Sequence, residues 1–316
     1  MSKYRRTCCF CGGGNLSGEH IWPDWASDIL PRSAGRDYVS LNRVWGGEPT
    51  IASVKRKQGA IISDKANVVC VTCNNEWMSR LEEAAKPLVR SMILGRETKL
   101  SAANAAVLTR WATMKMMVID RHRSTEHVFK SSEMRRFRDA LVTAQTFDHS
   151  IVEVPANLEI ALFRCGQGRW TNALGVDRAT LSNVAGVRPA RSNVGVIVWG
   201  LGELLISAVY RDGVRFPLQV EDDSEIELWP LVTAPTWPRE RRLTEKEATA
   251  LEAVLSHMTK WPGARPAYGE QTSYGDLTGP SRWLRTTSFC TDFQKHLPLR
   301  SSRRHEKKQG KPKAPQ

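Results

Sequence analysis

The sequence predicts an α+β fold in two parts, on three observations. Two Cys-x2-Cys pairs, Cys8/Cys11 and Cys70/Cys73, frame a Gly- and Trp-rich N-terminal unit. From about 101 to 145 the apolar residues recur at helical spacing. From about 156 to 232 short apolar runs alternate with turn residues in the manner of strands. The expected divisions are 1–95 for the first unit, 96–292 for a mixed part with helices first and antiparallel strands after, and 293–316 for a basic, disordered tail.

Along the first unit, Gly12-Gly13-Gly14-Asn15 supplies a turn in which the chain can take positive φ. Tyr38 to Trp45 alternates and runs into Gly46-Gly47, a strand entering a hairpin whose partner is Thr50 to Lys57. Asn74 to Arg90 carries Trp77, Leu81, Ala84 or Ala85, and Leu88 on one helical face, and this helix begins at the second cysteine pair. In the second part, Ser101 caps a helix that runs through Asp120, with Ala106, Leu108, Trp111, Ala112, Met114 and Met117 as a broad apolar face. A shorter helix covers Ser132 to Ala144. Strands are expected at Leu158–Phe163, Val194–Trp199, Leu204–Tyr210 and Ile226–Leu231, with Gly200-Leu201-Gly202 turning between the middle two. Thr244-Glu245-Lys246-Glu247 is a capping-box pattern that opens a helix to about Met258.

The bulk figures exclude some classes. The chain has 316 residues, 41% hydrophobic and 25% charged, ordinary values for a folded protein. It has no apolar run of membrane-spanning length and no apolar core near Met1 of the kind a secretory signal needs, so a cytoplasmic protein is expected. Net charge is +13, which favours polyanionic partners, but the stretch from Lys295 to Lys313 alone contributes +7. Such a tail raises affinity for any nucleic acid without choosing a sequence. Lys55-Arg56-Lys57 on the hairpin, and Arg135, Arg136 and Arg138 on a helix, are further candidate phosphate contacts, with a solvated charged face as the plain alternative.

A reduced compartment argues against disulfides for the 7 cysteines, and the two close pairs suggest a metal. Zinc takes four soft ligands in a tetrahedron, and each Cys-x2-Cys turn presents two thiolates. Cys8, Cys11, Cys70 and Cys73 close the shell with no open position, a structural zinc site, and binding contributes on the order of 10 kcal/mol or more to folding. Cys9 could replace Cys8, though Cys-x-Cys spacing fits less well. Cys165 and Cys290 read as ordinary buried thiols.

Between the pairs lies Ser17-Gly18-Glu19-His20-Ile21-Trp22-Pro23. On a regular strand Glu19 and His20 face opposite sides, whereas at a bulge or strand end they can straddle a metal. A free imidazole suits general-base chemistry near neutral pH. Taken together, Cys8-x2-Cys11, Glu19-His20-Ile21-x-Pro23, Asn67 and Cys70-x2-Cys73-Asn74 resemble the zinc-binding members of the HNH endonuclease family. The resemblance covers the first 80 to 90 residues and none of the remainder.

It implies a treble-clef-like ββα-metal module in which structural zinc is separate from a catalytic Mg²⁺ or Mn²⁺. In that reading Glu19 and Asn74 hold the divalent ion, His20 is the general base, and Asn67 braces the loop that carries His20. Phosphodiester hydrolysis, with double-stranded DNA the expected substrate, is the implied activity. About 50 residues separate His20 from Cys70, so the hairpin region between them is enlarged. Asn75 could take the place of Asn74 if the helix starts one residue late. Trp22 and Trp25 could stack on bases, but packing on the zinc module is the simpler role. Met114, Met116 and Met117 read as core, and His122, His127 and His149 have no acid or cysteine at useful spacing. The competing functions are a catalytically silent zinc module that binds DNA or RNA, and a redox protein using Cys8 and Cys11. The task of the second part is not legible.

Overall fold

The first cysteine turn leads into β1 (Leu16–His20), which pairs antiparallel with a strand almost 50 residues later, β4 (Lys65–Cys70). The computed structural model describes residues 7–30, 37–46, 48–58, 61–123, 127–147, 153–165, 173–181, 192–213, 225–229, 235–252 and 264–266. The chain between β1 and β4 forms the expected hairpin, β2 (Asp37–Gly46) paired with β3 (Glu48–Gln58). Lys55, Arg56 and Lys57 lie on β3 opposite Ser40, Val39 and Tyr38. The basic tail, Cys290, His149 and the predicted helix beyond Glu252 lie outside the described residues.

β4 passes straight into helix: α1 (Val71–Cys73), a π-helical turn at Asn74–Met78, and α2 (Ser79–Ile93). The helical segment therefore begins within the second cysteine pair, as expected, three residues ahead of Asn74. Cys70 stays extended (φ −84°, ψ 159°) and its Sγ accepts from the Cys73 N–H, so a cysteine takes the N-cap role that Ser or Asp usually fills. Trp77, Leu81, Ala85 and Val89 are the buried stripe, with Ala84 exposed.

A short strand β5 (Thr98–Lys99) precedes α3 (Ala102–Arg123), where the Ser101 hydroxyl accepts from the Asn104 N–H at 3.3 Å as a cap. The sequence marks one apolar face on α3; the structure buries it on every side, Thr113, Lys115 and Asp120 included. α4 (Ser131–Thr143) follows. The strands β6 (Leu158–Arg164), β7 (Leu174–Leu181), β8 (Val194–Leu201), β9 (Leu204–Arg211) and β10 (Glu225–Trp229) come next. Then come β11 (Thr236–Trp237), α5 (Glu245–Glu252) and β12 (Ala264–Pro266). One sheet runs β10-β6-β9-β8-β7-β12, every pair antiparallel, and β11 pairs with β5.

Both faces of this sheet are covered, which explains why β8 and β9 are apolar at almost every position. Ile197, Trp199, Leu204, Ile206 and Tyr210 face a core shared with α3, while Val194, Val196, Val198, Leu205 and Val209 face α5. α5 opens with the expected capping box: the Thr244 N–H donates to Glu247 Oε2 at 2.8 Å and the Glu247 N–H to the Thr244 hydroxyl at 3.3 Å. The β8–β9 turn falls at Gly202-Glu203, not at the predicted Gly200-Leu201-Gly202, because Leu201 still pairs with Leu204. Gly202 has φ +61°, and a Cβ there would stand 2.6 Å from the Ile93 carbonyl oxygen, so only glycine lets the end of α2 rest on this turn.

One buried cluster extends from Cys8 to Trp237. Trp22 stands at its centre, donating from Nε1 to the Gly200 carbonyl at 3.2 Å, with Trp199 stacked on Trp111 at 5.3 Å. The N-terminal unit and the sheet thus share a core. Among the described residues no helix is long and apolar enough to cross a membrane.

Asp120, fully buried near the end of α3, ties that core together. Its carboxylate accepts from the Val128 and Phe129 N–H groups at 3.3 and 3.4 Å and pairs with Arg178 of β7 at 2.9 Å. We expect Asp120→Ala to lower stability by about 3–5 kcal/mol, because it removes the buried carboxylate that pairs with the largely buried Arg178 guanidinium and accepts from two backbone N–H groups; urea titration measures this. Glu225, at the start of β10, has its carboxyl pushed up to about 7 by burial and by the nearby Glu227 charge. A carboxyl raised in the folded state binds its proton more tightly there than in the unfolded chain, so stability falls as pH rises from about 4.5 through about 7. Glu225→Gln should melt above wild type at pH 8, by on the order of 1–3 kcal/mol, with the advantage gone near pH 4.5.

Candidate metal centre and adjoining site

Cys8, Cys11, Cys70 and Cys73 bring their four Sγ atoms within 4.8 Å of one another. Cys11 and Cys70 stand 3.5 Å apart, too far for a disulfide. Four sulfurs at about 2.3 Å from a tetrahedral zinc lie about 3.8 Å from each other, so this spacing fits the ion. Each knuckle also aims a backbone N–H at a sulfur, Gly13 at Cys11 and Cys73 at Cys70, both at 3.4 Å. Donors so placed favour thiolates over thiols. The first knuckle closes through Gly12 at φ +77°, whose N–H bonds the Cys8 carbonyl. Burial above all, with the neighbouring sulfurs of Cys8, Cys70 and Cys11, pushes the Cys73 thiol up, so a cation is what would make a thiolate tolerable there.

Cys9 is not in the tetrad. Its backbone N–H bonds the Val68 carbonyl at 2.8 Å, and burial holds its own thiol well above the usual range. Cys8 therefore takes the place for which the two residues competed, and Cys165 is buried elsewhere. Among the described residues this tetrad is the only group of three or more Cys, His, Asp or Glu side chains whose ligand atoms converge.

The tetrad joins the start of β1 to the end of β4, and the Glu19-His20 pair lies at the far end of β1. Opposite Gly18 the register slips: Ser17 pairs with Val69 but Glu19 with Ala66, which leaves Asn67 at the bulge. A Cβ on Gly18 would meet Lys65 Cδ at 3.1 Å and Asn67 Oδ1 at 3.4 Å. Asn67 therefore lies opposite Gly18, midway along β1, with its side chain exposed. The bulge does not turn Glu19 and His20 to one side. The Glu19 side chain is 8% exposed and His20 23%.

Glu19 points into the protein, where Lys115 of α3 meets it. Lys115 Nζ stands 2.6 Å from Glu19 Oε1 and 2.7 Å from Glu82 Oε2 of α2, and donates at 3.0 Å to the His20 carbonyl. Burial opposes the charge on Lys115, but the two carboxylates outweigh it and hold the ammonium above the ordinary lysine value. No sequence signal links these three residues. Lys115 is one polar position inside an apolar helix pattern, 95 residues from His20.

His20 directs Nε2 toward Asp24, 3.6 Å away, while its buried Nδ1 has no partner among the described residues. Burial lowers the imidazole's pKa and Lys65 adds to this, against the opposing pull of Asp24 and Glu19. Both effects favour the neutral ring, which can accept a proton. Asn74, just after the second knuckle, donates from Nδ2 to the Ser17 hydroxyl at 3.1 Å. Asn75 is exposed. The structure brings Asn74 to within two positions of Glu19 on β1, although no hydrogen bond joins Asn74 to Glu19.

The aromatic candidates are core. Trp22 is fully buried, and Trp77 packs edge-on against Phe10 at 5.0 Å and Phe137 of α4 at 6.2 Å. Trp25 is partly buried with an unpartnered indole nitrogen. Met114, Met116 and Met117 are buried. On α4, Arg135 and Arg136 are exposed, while Arg138 pairs with Asp139 at 2.7 Å. His122, without a sequence partner, stands 3.6 Å from Asp64. Compared with models of known protein families, with curated proteins and with solved structures, the chain matches none of them.

We expect the purified protein to carry about one zinc per chain by elemental analysis, a tetrathiolate shell having room for a single ion. Cys70→Ser should lose the metal and the cooperative melt, whereas Cys9→Ser should keep both.

Proposed function

We propose that the chain is a metal-dependent endonuclease of the HNH type that hydrolyses phosphodiester bonds, with double-stranded DNA as substrate. One observation carries this reading: the cysteine tetrad fastens a ββα arrangement, β1, β4 and the helix from Val71, so that the strand bearing Glu19-His20 and the helix end bearing Asn74 meet at the Ser17–Asn74 bond. The sequence resemblance points to the same residues.

In this mechanism His20 takes the proton from the attacking water. Its half-buried ring, with Nε2 3.6 Å from Asp24, suits that role. Glu19, through Oε2, and Asn74, through Oδ1, would hold a Mg²⁺ or Mn²⁺ ion, since both are hard oxygen donors. Such an ion, when bound, supplies charge stabilisation at the scissile phosphate and the leaving oxygen. Asn67 at the bulge keeps the end of β1 in place. Arg135 and Arg136 on α4, packed beside the π turn, and the basic tail supply phosphate contacts without base choice.

A second reading is favoured by the Lys115–Glu19 pair. A carboxylate already neutralised by an ammonium is a weaker ligand, and a zinc module that binds DNA or RNA without cutting needs no ion at Glu19. Nicking of supercoiled plasmid with added Mg²⁺ or Mn²⁺ separates the two. Under the nuclease reading the wild type relaxes the plasmid and chelator stops it. His20→Ala should lose roughly 100-fold or more in rate with zinc content unchanged, the usual contribution of a general base. Equal rates in both proteins remove His20 from the mechanism, and no cutting of DNA or RNA with any divalent metal selects the binding module.

A further inference from the structure

The run Lys55-Arg56-Lys57 reads in sequence as a single charged patch, but the pairing of β2 with β3 divides it. Successive residues of a strand alternate between its faces, and residues directly opposite one another share a face. From the open end of the hairpin to the bulge beside Asn42, one face of the ribbon therefore holds Tyr38, Ser40 and Asn42 of β2 with Ser53, Lys55 and Lys57 of β3. The other holds Val39, Leu41 and Val54, together with Arg56 and the acid Asp37. A face that only has to be wet commonly mixes both signs of charge. The first face instead has two cations, four hydroxyl or amide donors and no acid. Phosphate oxygens accept from that set of donors.

The shape agrees with the chemistry. Among the described residues β2 and β3 form a two-stranded sheet of their own, with strands of 10 and 11 residues. Such a ribbon is about 33 Å long at the rise of a strand, and the major groove of B-form DNA is wide enough to admit one. It leaves the chain after His20 ends β1 and returns ahead of Lys65 on β4. There the Ile21 N–H bonds the Asp64 carbonyl at 3.0 Å, and the 3₁₀ turns at Asp24–Asp28 and Ile61–Ser63 lie against each other. Lys55 and Lys57 stand toward this root of the ribbon.

We propose that the Lys55/Lys57 face of the β2–β3 ribbon is a docking surface for duplex DNA, seated in the major groove with both lysines on phosphates. This rests on the reading of DNA as the substrate and on no step of cleavage. Arg56, on the opposite face with Asp37, takes no part.

The salt dependence of binding reads these contacts, since each phosphate neutralised adds about 0.9 to the slope of log affinity against log salt. Fluorescence anisotropy of a labelled duplex about two helical turns long measures it on the full-length, zinc-loaded chain with no added Mg²⁺ or Mn²⁺. Lys55→Gln/Lys57→Gln should reduce the slope by about 1.8 and weaken binding roughly tenfold or more at about 0.1 M salt. Lys55→Thr/Lys57→Thr, with stronger strand formers at both positions, should lose the same slope, which separates lost charge from a loosened hairpin. Arg56→Gln removes a charge one residue away and should change the slope by less than about 0.5. On duplex RNA, whose major groove is deep and narrow, each double variant should lose less than about half as much slope.

An unchanged slope in either double variant overturns the proposal. So does an Arg56→Gln that loses as much per charge, an equal loss on duplex RNA, or a wild type that does not bind duplex DNA. A wild type that nicks DNA beside double variants of unchanged slope sinks this inference alone. One that binds with the expected slopes and never nicks sinks the cleavage reading and leaves this one standing.

Discussion

Four sulfurs held within 4.8 Å are the constraint on which the N-terminal unit depends, because they connect segments that sequence keeps about 60 residues apart. β1 has five residues and β4 six, too few for a two-stranded ladder to stand in water unaided. A cation held by the four sulfurs would close the loop between them and fix the register from one end. From Leu16 opposite Cys70 the pairing runs outward to the bulge, and the bulge decides which way Glu19 and His20 face. A slip of one residue would exchange the buried carboxylate for the half-buried imidazole. The enlarged β2–β3 hairpin can be inserted between these strands because neither its length nor its twist enters the register set by the sulfurs.

The second constraint is the pair of charges inside α3. Lys115 and Asp120 are five residues apart and each is fully buried. Among the described residues, Lys115 is met by β1 and α2, and Asp120 by β7 and the chain entering α4. A helix with apolar residues on all sides has little to fix its rotation, since one greasy face packs much like another. Two buried charges with different partners remove that freedom, because a rotated α3 would leave both uncompensated. The same device sets the helix and delivers an ammonium to the site.

Much of this was legible in the sequence where local chemistry governs. The knuckles, the positive-φ glycine, the hairpin, the capped helices and the apolar strands each have a cause within a few residues, and each was found at or near its place. β7 is not legible in the sequence because Asp177, Arg178 and Thr180 break its apolar pattern, and Arg178 is there for Asp120, 58 residues away. The turn at Gly202 was placed two residues early because Gly200 offers the same signal, and only the packing of Ile93 tells them apart. Glu19 and His20 were legible as residues but not as an arrangement. Their partners, Lys115, Glu82 and Asp24, come from elements whose approach is a matter of tertiary packing. The two parts drawn from composition share one core through Trp22, which no local pattern announces.

That indole has an implication for how the chain matures. Its acceptor, the Gly200 carbonyl, lies 178 residues downstream. At translation speeds of roughly 5–20 residues per second, the wait between the emergence of one and the other is on the order of 10–40 s. The sulfur ligands are complete by Cys73, so metal capture can precede that docking step. During the interval the clasp would protect the nascent segment while its large aromatic side stays bare. With an ion in the clasp, vectorial synthesis would give it a second duty, as a holding device for a half-built interior.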